Sequence, residues 1–129
     1  MKGGAWAVAL VVLVTLPGCK RATPGNALQG FDPGPTPEQF RQGEGTFDAQ
    51  CATCHGPHAV GTDRGPPLVH QVYEPSHHAD VAFQRAVTFG VQAHHWNFGA
   101  MQPVEGVSRE DVAEITAYVR WLQRQAGIL

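Results

Sequence analysis

Cys51, Cys54 and His55 stand together in the pentapeptide Cys51-Ala52-Thr53-Cys54-His55. Two thiols two residues apart, with an imidazole directly after the second, have the spacing of covalent c-type haem attachment. Each thiol can add to one vinyl group of a porphyrin, which fixes the ring against the backbone. The next side chain then comes up beneath the ring centre, where an imidazole binds iron. Two other chemistries compete for such a tract. A structural zinc site wants four ligands, usually with a second Cys/His pair. The one remaining cysteine, Cys19, lies in a quite different stretch. A redox-active CxxC wants a βαβ setting, whereas the flanks here read as helix.

An iron held by His55 has a second axial position. Its candidates are Met101, His58, His70, His77, His78, His94 and His95. Met1 is the initiator, so Met101 is the one methionine left for the domain. It stands in a loop just before Pro103. An apolar thioether among Gly, Pro and polar residues has to pack on something; ordinary core packing is the competing reading. The expectation is His55/Met101 ligation of one haem c, which raises the reduction potential relative to two histidines and suits an electron carrier. A methionine in that position takes the place a substrate would occupy. The reading is therefore of a non-enzyme with redox protein partners and no small-molecule substrate.

The paired histidines, His77-His78 and His94-His95, stay open at this stage. They read as surface or capping residues, as propionate or haem-pocket groups, as replacements for Met101, or as a second metal site such as one for copper. Trp96 beside them is expected against the haem or its propionates. Arg64 and Arg85 are both candidates to neutralise a propionate.

Three helices must position these groups. The first is expected from Pro37 to about Gln50, with Thr36 as N-cap and Gln39 where a capping box wants Glu or Gln. Phe40 and Phe47 lie on one face, and Gly43 between them offers a close helix crossing. Residues 56–65 read as a loop. Gly65-Pro66-Pro67-Leu68 follows as a rigid turn, and the Pro66 carbonyl is the candidate anchor for the second ring nitrogen of His55. A second helix is expected to run to Phe89, capped by Asp80 or Ser76 and stopped by Gly90. Residues 92–107 read as loop. Ser108 caps the last helix, with Glu110 and Asp111 at its positive end. Val112, Ile115, Val119 and Leu122 form its stripe, with Tyr118 beside it. No strand pattern and no repeat appear. The fold class is all-α with long loops, which need something to fill the interior; a haem does so.

From Thr36 onward there are six arginines, no lysine and ten carboxylates, a net charge of −4. That excludes a nucleic-acid footprint. Ahead of this domain, Lys2 precedes an apolar run from Ala5 to Leu16, too short to span a bilayer and suited to a signal peptide. It ends in Leu16-Pro17-Gly18-Cys19, which resembles the bacterial lipobox. The resemblance implies that Cys19 is lipidated and becomes the mature N-terminus. The expected division is a signal peptide over 1–18, a lipidated Cys19 with a Gly/Pro-rich tether over 19–35, and a folded domain over 36–129. The implied place is exported, on the periplasmic side of a bacterial membrane and held there by a lipid anchor, where c-type haem is also attached.

The stretch from Thr36 to Leu129 resembles a monohaem class I cytochrome c. Gly43 and Phe47 stand eight and four residues before the first haem cysteine, as in that family. The CxxCH motif at 51–55 and the Gly-Pro-x-Leu turn at 65–68 follow. Met101 matches the axial methionine, with Gln102 in place of the usual proline and Pro103 one position on. Tyr118 and Trp121 match the aromatic face of a C-terminal helix. The resemblance implies three main helices wrapped round a haem with one edge exposed. Its function would be electron transfer between protein partners. The runner-up readings are a haem subunit dedicated to one respiratory enzyme complex and a ligand-binding or peroxidase-like haem protein.

Overall fold

The computed structural model describes residue 28 and residues 30–129. The proposed signal peptide, Cys19 and the first part of the tether lie outside the described residues. Leu28 and Phe31 pack against the core. Among the described residues, no helix is long and apolar enough to cross a membrane.

Among the described residues, four α-helices carry the fold: α1 (Arg41–Gln50), α2 (Ala52–His55), α3 (Asp80–Phe89) and α4 (Arg109–Gln125). The fold is all-α, as expected. The only β pairing among the described residues is a single antiparallel bridge between Val91 and Met101.

The N-terminal end of the first helix differs from expectation. A 3-10 turn, Glu38–Phe40, precedes α1, and no side chain caps it. Pro37 sits before that turn in an extended conformation, and Thr36 turns elsewhere. Its hydroxyl donates to Glu44 Oε1 at 2.6 Å, a charge-assisted hydrogen bond that holds the side chain on α1.

Helix α4 is the spine of the domain. Ser108 and Asp111 form a reciprocal capping box at its start. The Ser108 hydroxyl accepts from the Asp111 amide, and the Asp111 carboxylate accepts from the Ser108 amide. The expected stripe of Val112, Ile115, Val119 and Leu122 is buried. Tyr118 and Trp121 are buried with it, and Trp121 stacks on Phe40 with ring centroids 5.9 Å apart.

Helix α1 crosses α4 at Gly43. A Cβ there would collide with the Glu114 carbonyl, whose carbon would lie only 2.6 Å away. The missing side chain lets the two backbones touch, and Phe47, one turn on, reaches Tyr118 at 5.9 Å between ring centroids.

Helix α3 runs over the expected residues, but Asp80 is its first helical residue rather than its cap; Ala79 holds the cap position with no side-chain bond. The Asp80 carboxylate is drawn instead to Arg120, whose Nε donates to Oδ1 at 2.9 Å. Arg120 is only 6% exposed, and a buried guanidinium needs partners for its five N–H groups. It also donates to the Tyr73 and His78 carbonyls and to Gln123 Oε1, at 2.5, 2.6 and 2.8 Å. Gln123, fully buried, donates to the carbonyls of Leu68 and Tyr73 at 2.8 and 3.1 Å. These two polar side chains of α4 hold residues 68–80, which carry little secondary structure of their own, against the helix.

Candidate haem centre

Helix α1 runs almost directly into the Cys-x-x-Cys-His segment, which forms the single turn α2. The Cys51 amide donates to the Phe47 carbonyl at 2.8 Å, and the His55 amide to the Cys51 carbonyl at 2.9 Å. Helical continuity places Cys54 and His55 one turn beyond Cys51. Both cysteines are free thiols. Burial, with Cys54 close by, pushes the Cys51 thiol up to about 11. It stays protonated and neutral at physiological pH.

The loop after α2 folds back to satisfy the carbonyls that the short helix leaves open. The Gly61 amide donates to the His55 carbonyl at 2.6 Å, and the Thr62 hydroxyl to the Cys54 carbonyl at 2.5 Å. Gly65 packs so closely that a Cβ would stand 2.8 Å from the Cys54 carbonyl oxygen. His58 and Ala59 both have positive φ, 52° and 57°, a conformation that costs non-glycine residues energy. The Ala59 carbonyl accepts from the amides of Leu68 and Val69 at 2.8 and 3.1 Å, which locks the loop against the segment after Pro66.

That segment reaches His55. Its Nδ1 lies 2.9 Å from the Pro66 carbonyl oxygen. A carbonyl can only accept, so the proton sits on Nδ1 and the lone pair on Nε2. Burial holds this imidazole below its ordinary value, and the Pro66 hydrogen bond offsets that only in part. A neutral ring with a fixed tautomer and a free Nε2 is the form that binds a metal.

Met101 is held by its backbone. Its amide and carbonyl exchange two hydrogen bonds with Val91, each 2.9 Å long. The Val104 amide donates to the Val87 carbonyl at 2.9 Å, so the loop is tied to α3 after Pro103 and to Val91, just past the end of α3, before it. Gly90, at φ 73°, makes room for this; a side chain there would strike the Met101 carbonyl. Trp96 is half-buried, 5.0 Å edge-to-face from His70, and its indole N–H is buried without a hydrogen-bond partner.

These residues fit a c-type haem on their own chemistry. They supply two unpaired thiols at attachment spacing and an imidazole with its second nitrogen anchored. They add a half-buried thioether on a doubly bonded backbone and a buried indole donor lacking an acceptor. Residues 38–119 match the family described as cytochrome c oxidase, cbb3-type, subunit III. The chain belongs to that family. It is a c-type cytochrome domain with the cytochrome c fold, haem as its cofactor, and haem-based electron transfer between redox protein partners as its function. Cytochromes of this type are typically exported or membrane-associated. No curated protein and no solved structure matches the chain.

Several features of this cytochrome domain are not legible as motifs. The Arg120–Gln123 cluster fixes the segment that follows Pro66, yet its partners lie 40 to 55 residues away in sequence. The Val91–Met101 bridge has no strand signature. Its one trace in the sequence is Gly90, which also serves as a helix stop. Among the described residues, Arg64 and Arg85 make no side-chain ion pair. The four paired histidines, by contrast, converge on one another.

Proposed function

We propose that the domain is a single-haem electron carrier with His55 and Met101 as axial ligands and Cys51 and Cys54 as the covalent attachment points. The observation that carries this reading is the double backbone hydrogen bond between Met101 and Val91. A side chain that must stay on a metal against competing small molecules gains from a backbone with little freedom, because less entropy is lost in holding it there. Bound at this site, haem supplies a one-electron iron centre that cycles between ferric and ferrous states.

The protein's own groups do the rest. Pro66 fixes the tautomer and direction of the His55 ring. The two thiols anchor the ring covalently. The unpaired Trp96 N–H is a donor of the kind a propionate carboxylate accepts from. With both axial positions filled by side chains there is no place for a substrate, so the domain is not an enzyme and takes no small-molecule substrate. Cys19 is the proposed lipid anchor, which would hold the carrier on the periplasmic side of a bacterial membrane on a short tether. The test is carbon monoxide binding by the reduced protein at neutral pH. A carrier with a closed sixth position leaves the spectrum unchanged. Rapid carbon monoxide binding would instead support the ligand-binding or peroxidase-like reading.

The family match favours one second reading, a haem subunit serving a single oxidase complex. Solubilised membranes separate the two: a dedicated subunit co-purifies with the complex in fixed stoichiometry, and a shuttle does not.

A further inference from the structure

Four of the seven histidines meet at one place. His77 and His78 lie just ahead of α3, and His94 and His95 follow it, on the chain that turns back at Gly90. His77 Nε2 and His95 Nε2 are 3.2 Å apart. His77, His78 and His95 each offer one ring nitrogen, and the three lie within 4.8 Å of one another. From this geometry we infer that His77, His78 and His95 form a binding site for a divalent late first-row transition ion, zinc or copper, separate from the haem iron.

Two nitrogens bound at about 2.0–2.1 Å to a tetrahedral ion stand about 3.3 Å apart. The His77–His95 separation already has that span. His78 is prepared as a ligand: its Nδ1 lies 2.6 Å from the Val72 carbonyl, which places the proton on Nδ1 and leaves Nε2 free. This is the outer-sphere arrangement that metal-binding histidines use. The backbone beneath it is fixed too, because the His78 carbonyl accepts from buried Arg120. His77 and His95 are exposed, so their rings can close the last ångström on an incoming ion. The set is all imidazole, which suits copper, zinc and nickel over magnesium or calcium. A bound ion would staple the segment Glu74–His78 to the strand of chain that leads through Val91 towards Met101.

The test uses the haem-loaded protein, in which the thiols of the attachment motif are consumed. Calorimetric titration with zinc(II) should show one saturable site per chain. His77→Ala and His95→Ala should each weaken it by about tenfold or more. His58→Asn, at a histidine outside the cluster with a φ that asparagine tolerates, should leave it unchanged. With copper(II), the electron paramagnetic resonance signal should carry nitrogen superhyperfine structure that simplifies in the same two variants. An unaltered haem absorption spectrum checks that each variant is folded. Absence of saturable zinc uptake, or uptake that survives the His77→Ala/His95→Ala double substitution, would overturn the assignment.

Discussion

Gly43 of α1 lies directly against the backbone of Glu114 in α4, with no room for a single methyl group between them. Gly43→Ala should therefore destabilise the domain, although alanine is the better helix former by about 1 kcal/mol. Overpacking costs about 1–3 kcal/mol, and because the Glu114 backbone cannot yield as a side-chain tip would, the cost outweighs that gain. Gly45, two residues on in the same helix, meets nothing within 4 Å. Gly45→Ala should raise stability by roughly 0.5–1 kcal/mol. Urea unfolding of the two variants should move the midpoint in opposite directions; equal shifts would mean the helices do not cross here.

Arg120→Met keeps much of the side-chain volume and removes every donor. The carbonyl of His78, the Gln123 amide oxygen and the Asp80 carboxylate then lose a partner, while Tyr73 keeps the Gln123 bond. Asp80 is exposed and can turn to solvent, so the expected loss, about 1–3 kcal/mol, comes from the buried acceptors left without a donor. Amide exchange should quicken over residues 73–80 and change less in α1. A uniform change across the domain would argue against this local role.

The capping box gives a pH dependence with a definite sign. Hydrogen bonds from the Ser108 side chain, then from its backbone amide, hold the Asp111 carboxyl below its ordinary value of 3.8. A carboxyl whose folded value is depressed contributes stability above its unfolded value, and that stability is lost as pH falls through the folded value. Asp111→Asn should lower the melting temperature at neutral pH and flatten the acid limb of the stability curve below about pH 4. Ser108→Ala should cost about 1 kcal/mol by removing the other half of the box.

Most of what can be read from the chain alone depends on neighbours in sequence; the Pro66 carbonyl as anchor of His55, eleven residues on, is an exception. The attachment motif, the Ser108–Asp111 cap and the stripe of α4 all follow from spacings of four residues or fewer. Gly43 was legible because a glycine inside a helix between two phenylalanines asks for a packing reason. Thr36 and Asp80 do not cap their helices, and each side chain has a charged partner in the tertiary structure, Glu44 for one and Arg120 for the other. No local rule could foresee those partners. The Arg120–Gln123 cluster and the convergence of the four histidines were hidden for the same reason: each joins segments that only the folded chain brings together.

The most direct measurement of the central claim is the far-red absorption of the oxidised, haem-loaded protein. Ligation by His55 and Met101 predicts a methionine-to-iron charge-transfer band there. The band should vanish in Met101→Ala, which should also take up carbon monoxide when reduced. A wild-type protein without the band, or a Met101→Ala variant that keeps it, would contradict the account.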